Sequence, residues 1–106
     1  MRTARVYRNE IPAGTLTEIN QHEYVFRYDD GYFLDAGQPA VSLTLPKSHQ
    51  EYKSEFLFPV FFNMLSEGVN RQLQCLHLRI DEKDHFGLLV ATAQNDTIGA
   101  ITVKPV

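Results

Sequence analysis

The sequence predicts an α+β fold: a single small domain with a mainly antiparallel, five-stranded, barrel-like sheet and about three short helices inserted before the last strand. Three observations carry this. The first half of the chain is made of short β-branched and aromatic segments separated by turn residues. The apolar period changes from two to about 3.6 near Phe58. A β-branched segment, Ile98 to Val103, follows the helical stretch and must rejoin the sheet, which brings the two termini near each other.

The elements follow in order. Thr3 to Tyr7 reads as a first strand, and Arg8-Asn9-Glu10 as a turn. Gly14 to Ile19 gives a second strand and Asn20-Gln21 a hairpin turn. Glu23 to Tyr28 alternates, with Tyr24, Phe26 and Tyr28 on one face. Asp29-Asp30-Gly31 is a turn signal. Val41-Ser42-Leu43-Thr44-Leu45 alternates apolar with hydroxyl and predicts a fourth strand, ended by Pro46. Phe58, Phe61, Phe62 and Leu65 then stand at i, i+3, i+4 and i+7, one face of a helix. Pro59 fits its first turn and Gly68 its C-terminal stop. Val69, Leu73, Leu76 and Ile80 mark a second helix. After a polar break over Asp81 to Asp84, Phe86, Leu89, Val90 and Ala93 mark a third, with Asp84 as its cap. Gln94-Asn95-Asp96 is a turn, and Gly99 marks a bulge or close approach in the final strand.

Composition narrows the function. With 43% hydrophobic and 22% charged residues, the 106-residue chain has enough apolar material for one modest core, which argues against disorder. A net charge of −3 and the lack of a basic stripe argue against direct nucleic-acid binding. No apolar run reaches the roughly 20 residues of a membrane span. The N-terminus lacks the apolar stretch of a signal peptide. The one cysteine, Cys75, has no internal disulfide partner, so a reducing cytoplasm is expected.

Catalytic and cofactor motifs are missing. His22, His49, His77 and His85 do not have metal-ligand spacing. Cys75 lies among apolar helix positions and reads as a buried thiol. There is no nucleophile elbow and no phosphate-cradling glycine loop, so no catalytic residue, metal or cofactor is expected. The carboxylates Asp29, Asp30, Asp35, Asp81, Glu82 and Asp84 sit in turn-like segments and read as solvated. The aromatic set Tyr24, Phe26, Tyr28, Tyr32 and Phe33 reads as sheet core. Phe56, Leu57, Val60 and Met64 fall off the predicted inward face of the first helix, and such a surplus suggests a partner chain.

Six segments, in order, are similar to a known family: Gly14-Thr15-Leu16, Phe26-Arg27-Tyr28, Pro39 to Pro46, Pro59 to Gly68, Asp84 to Leu89, and Asp96 to Ile101. Together they resemble the N-terminal subdomain of HipA-type serine/threonine kinase toxins. The catalytic elements of such kinases would lie downstream of the matched region. The resemblance implies a free-standing, HipS-like antitoxin of a split toxin–antitoxin system. It would bind and neutralise a HipA-like kinase (HipT), alone or in a ternary complex with a HipB-like DNA-binding protein. The alternative it implies is a structural subunit that completes such a kinase and supports its activity. Phe61, Phe62 and Leu65 are expected to face the core. The expected kinase-binding surface is Asn63, Met64, Ser66, Glu67 and Arg71, around a turn where Ser66 replaces the family's proline.

Overall fold

The computed structural model describes residues 1–65, 68–81, 83–93 and 100–106, with the backbone alone at 68, 69, 71 and 74. Its strands are β1 (Arg2–Arg8), β2 (Ile11–Asn20), β3 (Glu23–Tyr28), β4 (Glu51–Ser54) and β5 (Ile101–Pro105). They form one five-stranded sheet in the order β4-β3-β2-β1-β5, antiparallel throughout. The sheet is open, not closed into a barrel. The helices are α1 (Asp30–Leu34), α2 (Pro59–Phe62), α3 (Gly68–Leu78) and α4 (His85–Thr92).

Two tight hairpins build the sheet's centre. Asn9 and Glu10 both take left-handed backbone, at φ 49° and 67°, which matches the twist needed by a two-residue loop. The second hairpin turns at Gln21-His22, one residue later than expected, because an irregularity between Glu18 and Asn20 adds a residue to β2. The Asn20 side chain accepts from the His22 N–H at 2.8 Å and closes that turn. β5 then pairs with the free edge of β1, setting Ala4 opposite Pro105 and Arg8 opposite Ile101. The expected meeting of the chain's two ends is observed. The turn at 94–96 and Gly99 lie outside the described residues.

One face of the sheet is buried. Ala4 and Val6, Ala13 and Leu16, Tyr24, Phe26 and Tyr28, and Val103 all point into it. Gly14 is required there. A Cβ at this position would stand 2.4 Å from the Arg27 carbonyl oxygen and 2.9 Å from the Phe26 ring. The opposite layer contributes Leu57, Phe58, Phe61, Leu65, Phe86, Leu88, Leu89 and Ala93. Phe61 meets Phe26 at a ring separation of 5.8 Å, and Phe26 meets Tyr28 edge-on at 4.9 Å.

Several expectations are corrected. Val41 to Leu45 is not a strand. The Ser42 hydroxyl accepts from the Thr44 N–H at 3.2 Å, and the Leu45 N–H reaches back to the Ser42 carbonyl at 3.1 Å. That turn buries Val41 and Leu45 but leaves Leu43 wholly exposed. Tyr28 anchors the segment by accepting from the Val41 N–H at 2.9 Å and donating to the Leu45 carbonyl. Burial holds the Tyr28 hydroxyl above its ordinary pKa. The fourth strand is instead β4, an edge strand.

The turn expected at Asp29 to Gly31 continues into α1, closed by a bond from the Phe33 N–H to the Asp29 carbonyl at 2.8 Å. Pro59 does open α2, but α2 is a single turn that ends at Asn63. The Met64 and Leu65 N–H groups bond three residues back, at 3.1 Å, so the chain tightens and leaves the α path well before Gly68. Gly68 starts α3 and does not stop the earlier helix.

Candidate partner-binding surface

The early end of α2 decides which phenylalanines are inside. Phe58 is its cap, with extended backbone, and Phe61 packs edge-on to it at 6.3 Å. Both are buried. Phe62, next along the turn, is 38% exposed and meets the His85 ring edge-on at 5.2 Å. Of the three residues expected to face the core, Phe61 and Leu65 do so and Phe62 does not. Leu57, placed in the surplus, is buried, whereas Phe56 is 74% exposed.

α3 departs further from its expected orientation. Its two central leucines, Leu73 and Leu76, are 59% and 77% exposed, while Cys75 between them is buried. With Leu78 and His77 they line an open groove of about 860 Å³ against Ala91 and Thr92 of α4. The apolar spacing therefore identified the helix but not the side it buries.

A second cleft, of about 670 Å³, lies between the β2–β3 turn and the start of α4. Arg2 spans its wall. Its guanidinium donates to Glu18 Oε1 at 2.6 and 2.8 Å, and to both oxygens of Asp84 at 2.6 and 3.0 Å. It also lies 5.1 Å from the centre of the Phe86 ring. Asp84 in turn accepts from the Gly87 N–H at 3.1 Å and caps α4, as expected. The Arg2 guanidinium, aided by that N–H, holds the Asp84 carboxyl below its usual range. Asp84 thus does structural work that a solvated loop carboxylate would not. Asp29 is likewise engaged, 2.9 Å from the Arg5 guanidinium.

The predicted surface is only partly described. Asn63 is the exposed C-cap of α2, its N–H bonded to the Pro59 carbonyl at 2.9 Å. Met64 is half-buried and packs on the core cluster. Arg71 lies in α3, where its backbone alone is described, and Ser66 and Glu67 lie outside the described residues. Sequence reasoning placed Phe56 in the outward surplus, which its exposure bears out, but missed Phe62 as an exposed aromatic and missed Arg2 altogether.

Among the described residues no cluster of three metal-ligating side chains occurs. No helix among them is long and apolar enough to cross a membrane. What stands out is a small α+β domain with outward-turned leucines and phenylalanines on its helical layer, a surface suited to protein contact.

The sequence profile of the HipA N-terminal domain matches residues 4–104. The chain is similar to an uncharacterized protein of Haemophilus influenzae, 31% identical over 104 residues, covering 98% of this chain and 92% of that one. Among solved structures it is similar to the N-terminal domain of HipA toxin, with a TM-score of 0.70 at 28% identity, covering 98% of this chain and 93% of that one. The chain belongs to the HipA N-terminal domain family. That domain is a non-catalytic subdomain, and the resemblance read from six segments stands as family membership.

Proposed function

We propose that residues 1–106 form one cytoplasmic domain that acts as an antitoxin, binding a HipA-like serine/threonine kinase and neutralising it. The observation that carries this reading is the match of residues 4–104 to the HipA N-terminal domain. A domain built as part of such a toxin has a surface that fits the remainder of one. The Haemophilus relative adds support, since the same domain accounts for 92% of its length. A HipB-like DNA-binding protein joins this complex through the kinase, without direct DNA contact by this chain.

The docking residues are assigned as Asn63, Met64, Ser66, Glu67 and Arg71, with Met64 as an apolar anchor and Glu67 as a rim charge. Co-expression with a HipA-like kinase tests the role: restored growth supports the antitoxin. Increased toxicity would replace it with the second reading, a subunit that completes the kinase, which the 93% coverage of the HipA toxin's own domain favours. Calorimetry tests the surface. Met64→Asp and Glu67→Arg are expected to weaken kinase binding by about ten-fold or more each, in line with loss of a central contact. Wild-type affinity in both, with folding intact, would rule the surface out.

A further inference from the structure

The cleft beside Arg2 combines features that interior packing does not account for. Phe56 is 74% exposed yet lines a concavity, and Phe62 opens into the same space. Four carboxylates line it (Glu18, Glu55, Asp81 and Asp84) against two permanent cations, Arg2 and Lys83, leaving an excess of negative charge. Glu18 and Asp84 are committed to Arg2. Among the described residues the Glu55 carboxylate is unpaired, and that of Asp81 accepts a backbone bond from Lys83 at 2.8 Å.

The wall of this cleft already holds one guanidinium: Arg2, between two carboxylates and against the Phe86 ring. Glu55 and Asp81, with the exposed Phe56 and Phe62, repeat those ingredients with no guanidinium among the described residues. A planar, weakly hydrated guanidinium stacks on an aromatic face and pairs with carboxylates at once, whereas a compact ammonium is held to its water more firmly.

We propose that this cleft docks a partner protein segment that presents an arginine beside an apolar residue. The guanidinium takes the acidic, aromatic mouth formed by Glu55, Phe56, Phe62 and Asp81, and the apolar neighbour covers the exposed ring surface. The site uses none of the residues assigned to the kinase, although Phe62 directly precedes Asn63, and its test does not depend on that assignment.

A nuclear magnetic resonance titration of the ¹⁵N-labelled full chain tests this. The probes are acetyl-Leu-Arg-amide and its neutral isostere, acetyl-Leu-citrulline-amide, at millimolar concentration. Saturable shifts are expected at His22, Glu55, Phe56, Phe62 and Asp81, with the citrulline probe at least about five-fold weaker because it lacks the charge-assisted bonds. Phe56→Ala, at a mostly exposed position, is expected to weaken the arginine probe about three-fold. Glu55→Gln supplies a second exposed-site variant, expected to weaken it about two-fold and to erase part of its salt dependence. Equal binding of the two probes, shifts confined to other surfaces, absence of saturation, or wild-type affinity in both folded variants would each overturn the proposal.

Discussion

The sheet and the helical layer handle their apolar residues differently. In β1 and β3 alternate side chains point into one buried face, where Phe26 and Tyr28 are wholly enclosed. Among the described residues from Phe56 to Leu78, five large apolar side chains are exposed: Phe56, Phe62, Leu73, Leu76 and Leu78. Strand alternation forces every second residue to one side, so a sheet with one covered face sorts its residues cleanly. A single-turn helix such as α2 has no such rule, and among the described side chains of α3 Cys75 is buried while Leu73, Leu76 and Leu78 are exposed. Stability is therefore expected to concentrate in the sheet and its nearest cover, while exposed apolar surface is a feature of the helical layer.

The largest break in this comparison should come from the sheet. Phe26→Ala removes a ring packed on Gly14, Tyr28 and Phe61. It is expected to cost about 3–5 kcal/mol in urea unfolding, a large part of the stability of a domain this size. A loss under about 1 kcal/mol would mean that the sheet core is not the stabilising half.

The hinge between the halves comes next. Asp84→Ala removes both the cap of α4 and the Arg2 pair, for an expected cost of about 2 kcal/mol. Roughly 1 kcal/mol comes from the cap, and at most about 1 from an ion pair that is partly open to solvent. The pair also carries a pH signature. The Asp84 carboxyl is depressed in the folded state, chiefly by its bond to Arg2. Its contribution is full above the unfolded carboxylate value of about 3.9 and fades as the pH falls through the lower native value. The stability gap between wild type and Asp84→Asn should therefore hold steady from pH 7 to 5 and narrow below pH 4. A gap that widens on acidification would contradict the pairing.

The smallest effect belongs to the helical face. Leu76→Ser, at a side chain 77% exposed, is expected to change stability by less than about 0.5 kcal/mol by the same urea measurement. A cost above 1 kcal/mol would show that α3 leans on the domain after all, and would erase the contrast.

The same contrast explains what could be read from residues alone. The alternation of Tyr24, Phe26 and Tyr28 was legible because β3 is flanked by strands on both sides and buries one face. β4 escaped notice because Glu51-Tyr52-Lys53-Ser54 is an edge strand. It needs only one neighbour, and its charged residues are what an edge tolerates. Val41 to Leu45 misled because a hydroxyl at every second position imitates strand alternation, while Ser42 uses its hydroxyl to bend the chain. The cap at Asp84 was legible from its neighbours, but its partner Arg2 was not, since the two lie almost a full chain apart. At the candidate surface the surplus of apolar residues was visible. Which of them stay dry depends on α2 ending at Asn63, which tertiary packing decides.

The pairing of β5 with β1 has a consequence for how the protein is made. β1 is synthesised among the first residues, and its outer edge has no partner in the sheet until residues 101–105 have left the ribosome. Until then the nascent chain carries an open edge able to accept strands from other chains. The contacts that close it span nearly the whole sequence, which places completion of the sheet at the slow end of folding. For a protein proposed to restrain a toxin, protective capacity then lags translation by the time needed to seat one short strand. A ribosome stalled before Ile101 yields a chain whose sheet is missing its edge.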